Sequence, residues 1–199
     1  MLTALGYTIP FAFASGLNIY ATIAVLGLCS HYGLVALPDQ FRAFDNPIVI
    51  GVALVMYVVE FVADKIPWLD SIWDVVHTVV RPLGGALVAV TALGDASPAA
   101  QTLAALVGGS VAMTTHLTKA GTRAAANTSP EPFSNWILSV GEDLLAIGLS
   151  YGALRHPRIA LAIAVVLLVV ILAFASLLIR FVRRRFSRDS TRSLRDLAP

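Results

Sequence analysis

Residues 161–179 read LAIAVVLLVVILAFASLLI, an apolar run without a single charged side chain. About 20 apolar residues in a helix are enough to cross the hydrocarbon core of a bilayer. Pro157 stands just ahead of the run, and proline is well tolerated in the first turn of a helix. The stretch therefore predicts a transmembrane helix and places the chain among integral membrane proteins.

The composition of the whole chain agrees with this prediction. Hydrophobic residues make up 57% of the 199 residues and charged residues 13%, which is about half the charged fraction of soluble domains. The mean hydropathy is +0.79. A chain of this length has room for about six spans of roughly 20 residues. We therefore predict an all-α integral membrane protein with about six transmembrane helices in one membrane domain, residues 1–184.

Apolar stretches and breaker residues divide the chain into six predicted spans. Gly16 and Asn18 weaken a helix, so the first span should be broken near its middle. Pro82 should kink the third span. The predicted spans are 4–30, 47–65, 68–93, 99–120, 133–154 and a last one that begins at Pro157.

The charges near the C-terminus predict the orientation. From Arg180 onward the chain holds seven arginines against two aspartates. Arginines that follow a span mark the cytoplasmic side, so residues 185–199 form a basic cytoplasmic tail. With six spans, the N-terminus would be cytoplasmic as well. The tail is expected to contact lipid rather than nucleic acid.

A short internal similarity suggests a repeat. His31-Tyr32-Gly33 followed by Asn46-Pro47 and an apolar helix is similar to Tyr151-Gly152 followed by His156-Pro157 and an apolar helix. Two halves, 1–94 and 99–184, with three spans each would be inverted in the membrane, as in many secondary transporters.

Ionisable residues are concentrated in the stretch EFVADKIPWLDSIWDVVHTVVR, residues 60–81. Such groups cost several kcal/mol each at membrane depth unless they meet water or a partner. One helical face carries Asp70, Asp74, His77 and Arg81, which are four, three and four positions apart. A second face, later in the chain, carries the basic residues His116, Lys119 and Arg123. The candidate site residues are Asn18, Glu60, Asp64, Asp70, Asp74, His77, Arg81, His116, Lys119, Arg123, Glu142 and Asp143.

Four interpretations of this cluster are open. Asp70, Asp74 and His77 could bind a divalent cation such as Mg²⁺, Ca²⁺ or Mn²⁺, because oxygen-rich sites favour these metals. The basic face could bind an anionic headgroup or phosphate. The acids and histidines could form a proton relay. The charges could also be a structural network of salt bridges.

The sequence contains no HExxH, Walker loop or CxxC motif of soluble catalysis. An enzyme is therefore less favoured, and we assign no catalytic residues. The paired glycines at 84–85 and 108–109 are better explained by close helix packing than by phosphate binding.

The chain resembles a family of small, uncharacterised bacterial inner-membrane proteins that has relatives in plants and is catalogued as a domain of unknown function. The resemblance rests on the stretches GLNIYAT (16–22), EFVADKIPWLD (60–70), HTVVRPLGGAL (77–87), HLTKAGTRAAANTSPEPFSNW (116–136) and GEDLL (141–145). It covers most of residues 10–150 and leaves out the tail after 185. It implies a location in the bacterial inner membrane and no substrate.

Taken together, these patterns favour a small transporter or channel for a polar or ionic solute, with a charged site toward the cytoplasm. A structural or assembly partner of membrane proteins is the second hypothesis, and an intramembrane enzyme acting on lipid phosphate headgroups is the third. The expected partners are the lipid bilayer, the solute and other copies of the chain. A divalent cation is the one cofactor that the pattern suggests.

Overall fold

The computed structural model describes residues 2–35, 39–126 and 132–196, and the side chains of 6–35, 39–66, 68–126 and 133–180. Within these ranges every regular element is helical, as predicted. The α-helices are α1 (Leu2–His31), α2 (Pro47–Ala63), α3 (Pro67–Leu93), α4 (Pro98–Ala126), α5 (Pro132–Arg155) and α6 (Pro157–Asp196), and a 3₁₀ helix (Asp39–Phe44) lies between α1 and α2.

Proline marks the start of every helix from α2 to α6, because its fixed φ suits the first turn and its missing N–H would be unbonded there anyway. The side chain of Asn46 adds a cap to α2, where its Oδ1 accepts a hydrogen bond of 2.8 Å from the backbone N–H of Ile48. α3 runs as one helix with Pro82 inside it. Residues 127–131 of the predicted loop before α5 lie outside the described part of the chain.

The chain divides into two compact units, residues 1–164 and 165–199. The first unit contains α1 to α5 and the first residues of α6. The second unit contains the rest of α6. The boundary between the two units thus falls inside α6.

Four helices in the described ranges are long and apolar enough to cross a membrane: Gly6–His31, Trp68–Leu93, Phe133–Arg155 and Pro157–Arg180. α2 is apolar but has only 17 residues, and α4 carries Lys119 and Arg123 in its second half. The chain is therefore a helical membrane protein in which four of the six predicted spans meet this criterion.

The distribution of side chains in the first unit is the reverse of that in a soluble protein. Ile48 is 75% exposed and Val75 73% exposed, whereas Arg81 is fully buried and Lys119 is 2% exposed. Apolar side chains can face lipid without cost, but a charged side chain at membrane depth must face the protein interior. The outer surface is thus suited to hydrocarbon, and the interior holds the polar groups.

α1 is broken at Asn18, as its sequence predicted. The backbone of Asn18 has φ −153° and ψ 101°, which is extended, while helix continues on both sides. Its side-chain Oδ1 accepts a hydrogen bond of 2.9 Å from the backbone N–H of Ala21. Asn18 therefore acts as the N-cap of the second half of α1.

The two halves of α1 fold back on each other. Near its start, the rings of Tyr7 and Phe11 pack against Phe41 with centroids 5.5 and 5.6 Å apart. At its end, Nδ1 of His31 lies 2.9 Å from Oδ1 of Asp45. Along a straight helix, residues 7 and 31 would be roughly 36 Å apart at about 1.5 Å per residue. Phe41 and Asp45 are only four residues apart and could not contact both ends of a straight helix. α1 is therefore a re-entrant hairpin.

Contacts with the end of α5 and the start of α6 agree with this hairpin, because its tip meets the middle of α5 and both arms extend toward Pro157. In order along α1, the pairs are Gly6 with Pro157, Asn18 with Asp143 and Thr22 with Ser150. Most residues of the Gly6–His31 stretch are buried inside the protein. Irregular backbone at membrane depth requires such enclosure, because lipid offers its N–H and C=O groups no partner.

The hairpin corrects one expectation from the sequence. The first predicted span is not a simple crossing, because both of its ends lie beside the segment between α1 and α2. In addition, α2 and α6 both begin at this end of the first unit, where Asp45 meets His31 and Pro157 meets Gly6. Inverted halves of three spans would pair α2 with α5, so this shared end does not test the inverted repeat, which stays a prediction.

α3 and α4 pack with their backbones in close contact at Gly85 and Gly108. A Cβ atom at Gly108 would overlap the Cβ of Ala89 and lie 2.7 Å from the carbonyl oxygen of Gly85. On the other side, a Cβ at Gly16 of α1 would overlap the backbone of Ala112. The predicted role of these glycines in helix packing is confirmed, and the contact sets the depth at which α3 and α4 present their charged residues.

We predict that Gly108→Ala destabilises the protein by about 1–3 kcal/mol, the usual cost of overpacking. Gly121→Ala in the same helix is the control. A Cβ there meets open space, and replacing glycine by alanine within a helix is worth roughly 0.5–1 kcal/mol of stability. Thermal unfolding in detergent should show a lower midpoint for the first variant only. Equal midpoints would contradict the close contact.

Candidate functional site

A buried network of ion pairs lies where the tip of α1 meets α2, α3, α4 and α5. Its acids come from the end of α2 and from α5, and its bases come from α3 and α4. The members of this charge network are Glu60, Asp64, Arg81, Lys119, Arg123 and Glu142.

Arg81 of α3 joins three helices. Its Nη2 donates to Oε1 of Glu60 at 2.7 Å. Its Nη1 donates to the carbonyl oxygen of Gly16 at 3.2 Å and to Nδ1 of His116 at 2.8 Å. Asp74 is a more distant partner, with its Oδ1 3.9 Å from Nη1. The guanidinium is fully buried, so these groups replace the water it has lost.

Lys119 of α4 is surrounded by oxygen atoms. Its Nζ lies 2.9 Å from Oδ2 of Asp64, 3.3 Å from Oε1 of Glu60 and 3.7 Å from Oε2 of Glu142. It also donates to the carbonyl oxygen of Leu17 at 3.3 Å. One ammonium thus links α1, α2 and α5 to α4.

Arg123, one turn further along α4, completes the network. Its Nη2 lies 2.7 Å from Oδ2 of Asp64, and its Nε donates to Oε2 of Glu142 at 3.2 Å. Its Nη1 donates to the backbone carbonyl of Asp64 at 2.9 Å and to Oδ1 of Asn135 at 2.5 Å. Asn135 is buried in the first turns of α5 and was not predicted from the sequence.

The break in α1 supplies two acceptors of this network. A helix end leaves its last carbonyl groups without partners inside the helix, and the break at Asn18 creates such an end within the protein. The carbonyl oxygens of Gly16 and Leu17 accept from Arg81 and Lys119. Cations are also favoured at the C-terminal end of a helix by the helix dipole.

Asp64 lies in the turn between α2 and α3, outside the membrane-spanning helices. Burial raises the pKa of its carboxyl, but the charges of Lys119 and Arg123 outweigh burial and bring the pKa below its ordinary value. Asp64 is therefore ionised at neutral pH, which agrees with its place between two cations.

The two histidines of the cluster differ in what they can do with a proton. Arg81 can only donate, so Nδ1 of His116 must accept. The hydroxyl of Thr78 donates to the carbonyl of Asp74, so it accepts from Nε2 of His116. These contacts hold His116 neutral, with its proton on Nε2. The sequence suggested that His116 titrates, and this arrangement opposes that role.

His77 has a more permissive environment. Its Nδ1 lies 2.8 Å from the carbonyl oxygen of Trp73, so that nitrogen must donate. Its Nε2 lies 3.2 Å from the hydroxyl of Tyr20, which can either donate or accept. His77 can therefore accept a second proton when the hydroxyl of Tyr20 rotates. Tyr20 is a site residue that sequence analysis missed, although it belongs to the stretch 16–22.

The metal site proposed for Asp70, Asp74 and His77 is not formed. In the parts of the chain that the structure describes, no group of three or more His, Cys, Asp or Glu side chains is arranged to hold a metal ion. Both nitrogens of His77 are engaged by Trp73 and Tyr20. Helical spacing placed the three residues on one face, but Asp74 lies 3.9 Å from Arg81 and His77 meets Trp73 and Tyr20.

The remaining predicted residues also lie in this region. Asp70 is buried in the first turn of α3, and its charge acts on Arg123. Asp143 is buried on α5 and accepts a hydrogen bond of 2.9 Å from Nδ2 of Asn18. The structure thus brings together all twelve residues predicted from the sequence, with Asn18 and Asp143 joined at the tip of the hairpin.

We predict that Lys119→Met destabilises the protein by about 3–5 kcal/mol, because it leaves the carboxylates of Glu60 and Asp64 short of a buried partner. Lys65→Met is the control. The ammonium of Lys65 is only partly buried and lies 3.1 Å from the centre of the Phe61 ring, so its loss should cost about 1 kcal/mol or less. Thermal unfolding of both variants tests this, and similar losses would argue against a central role for Lys119.

Comparison with known proteins assigns the chain to a family but brings no activity with it. Comparisons with curated proteins and with solved structures found no match. The family model described as "Domain of unknown function (DUF4126)" matches residues 5–176, which include the hairpin and every member of the charge network. The chain therefore belongs to the family described as Domain of unknown function (DUF4126).

Proposed function

We propose that this chain is a small membrane transporter or channel for a polar or ionic solute, and that the charge network with its acidic surroundings is the solute or coupling-ion site. The bacterial inner membrane is its proposed location. The proposal rests on the balance of buried charges around a broken, re-entrant helix. Broken helices at membrane depth form the binding sites of many transporters.

The charge balance is the observation that carries the proposal. Six carboxyl groups lie in the site, and three permanently basic groups face them: Arg81, Lys119 and Arg123. The acids are Glu60, Asp64, Asp70, Asp74, Glu142 and Asp143, of which Glu142 is 12% exposed at its side chain and the others are buried. Even with Asp70 left aside and the partly buried Lys65 counted, five carboxylates would face four cations if all were ionised. Because an uncompensated charge is costly when buried, the site is expected to take up protons or a cation.

The basic side of the site offers little to an anionic ligand. Arg81, Lys119 and Arg123 each contact at least one carboxylate and one backbone carbonyl oxygen. A phosphate would have to displace these partners. The charge balance therefore favours a cationic solute or protons over the hypothesis of an enzyme acting on lipid phosphate headgroups.

A structural or assembly role is the second candidate, and one observation favours it. An apolar groove of about 220 Å³ lies between α5 and the start of α6. Gly148 and Gly152 open into it, because a Cβ at either position meets nothing within 4 Å. Small residues at a lipid-facing surface allow another helix to approach closely.

The re-entrant hairpin also changes the proposed orientation. The arginines after Arg180 favour a cytoplasmic C-terminus, as the sequence indicated. If α2 to α6 each cross the membrane once and α1 does not, five crossings place the N-terminus on the outer face. The charged site then lies in the cytoplasmic half, near the end of α2 and the start of α3.

We predict that a reporter fused at residue 1 is external and that one fused at residue 199 is cytoplasmic. Paired alkaline phosphatase and fluorescent protein fusions distinguish the two sides. An N-terminal reporter on the cytoplasmic face would restore the six-span arrangement and contradict a re-entrant α1.

The transport proposal predicts that Asp74→Asn is folded but inactive. Asp74 contributes a carboxylate at 3.9 Å from Arg81, whereas Glu60 holds Arg81 at 2.7 Å, so the amide at residue 74 should cost little stability. Proteoliposomes loaded with a pH-sensitive dye should report proton flux for the wild type and not for the variant. A dye sensitive to a monovalent cation tests the flux of that cation in the same way. Asp39→Asn, in the exposed pair with Arg42, is the control and should keep the wild-type rate. A wild type that moves none of the ions tested would favour the assembly role.

A further inference from the structure

One acid of the site is bonded to the residue that breaks α1. Nδ2 of Asn18 donates to Oδ1 of Asp143 at 2.9 Å. Asn18 is fully buried, and Asp143 is 3% exposed. The second oxygen of Asp143, Oδ2, is also buried and has no hydrogen-bond partner among the residues that the structure describes.

Asp143 differs from the neighbouring acid in its ion contacts. Glu142 lies 3.2 Å from Arg123 and 3.7 Å from Lys119. Within the described ranges, no Lys, Arg or His nitrogen lies within 4.0 Å of the Asp143 carboxyl. A buried carboxylate with one amide donor and no adjacent cation is costly, whereas the neutral acid is much cheaper to bury.

We propose that Asp143 is an exchangeable proton-binding site, which holds a proton on Oδ2 at neutral pH and is linked to the tip of the re-entrant hairpin through Asn18. Proton uptake forms an O–H bond on Oδ2 with a proton taken from water, and release returns it to water. This site stands on its own geometry. Its role as the coupling site of a transporter rests on the proposed function.

The groups that face Asp143 from the neighbouring elements explain why the proton can exchange. Glu60 and Asp64 oppose a further negative charge, while Lys119 favours one but is already shared among three carboxylates. The second half of α1 begins at Asn18, and the positive end of its dipole favours an anion there. Tyr57 of α2 and Lys65 of the turn also interact with the charge of Asp143. These influences act in opposite directions on the charged form of the carboxyl group.

Loss of the proton would act directly on the hairpin tip. A carboxylate is a stronger acceptor for Nδ2 of Asn18 than a neutral acid is, and the same Asn18 caps the second half of α1 through its Oδ1. The new charge would also attract Lys119, which holds the carbonyl oxygen of Leu17. Asp143 thus connects a protonation event to both helix ends at the break.

Infrared spectroscopy of the full chain in lipid nanodiscs tests the proposal. The spectrum of the wild type at neutral pH should contain the C=O stretching band of a protonated carboxylic acid, shifted in D₂O. Asp143→Asn should remove this band. Glu142→Gln, at the next position on α5, is the matched control and should leave the band in place. If Asp143→Asn lost a carboxylate band and kept the acid band, the proposal would be overturned.

A conservative variant keeps the test decisive if Asp143→Asn fails to fold. Asp143→Glu retains a carboxyl group at the site. In protein labelled with ¹³C at aspartate only, this variant should lose the isotope-shifted acid band that the labelled wild type shows. A labelled wild type without a protonated aspartate band, or a variant that retains it, would overturn the proposal. Because neither spectrum depends on ion flux, a failed proton site and a failed transport function give different results.

Discussion

The rest of the first unit depends on the hydrogen bonds that two buried cations donate to backbone carbonyl groups at the break in α1. Arg81 and Lys119 bond the carbonyl oxygens of Gly16 and Leu17. Without these donors, the break at Asn18 would leave unbonded backbone at a depth where lipid offers no partner. Each cation in turn needs an acid, because a lone buried charge is costly. The hairpin tip and the charge network therefore require each other.

The close contact of α3 and α4 gives the network its geometry. At Gly85 and Gly108 the two backbones approach as near as glycine allows. The helices then present Arg81 and Lys119 toward the same point, where the acids of α2 and α5 meet them. Small residues that pack and large charged residues that pair thus occupy neighbouring segments of the same helices. Packing in membranes relies on such close approach, since lipid provides little hydrophobic drive between helices.

The surplus of acids is the feature on which the proposed transport function rests. A scaffold needs as many buried cations as anions, and three cations satisfy three acids. Arg81, Lys119 and Arg123 take up Glu60, Asp64 and Glu142 at short distances. Asp143 is left at the hairpin tip with an amide as its neighbour. Residual negative charge beside a broken helix is a feature of sites that handle protons or cations.

The sequence by itself determined the membrane class, the helix limits, the broken α1 and the cluster of charged residues. These follow from local properties: apolar length, proline at helix starts, the poor helix propensity of Gly16 and Asn18, and the cost of charge in lipid. Only the tertiary structure decided that α1 turns back, that His116 is held neutral, and that Asp143 lies beside Asn18. The sequence does not show in which direction the helix continues after a break, since a kinked span and a hairpin share the same breaker residues. The direction comes from distant partners, Phe41 and Asp45 at the arms and Asp143 at the tip, which no local pattern can bring together.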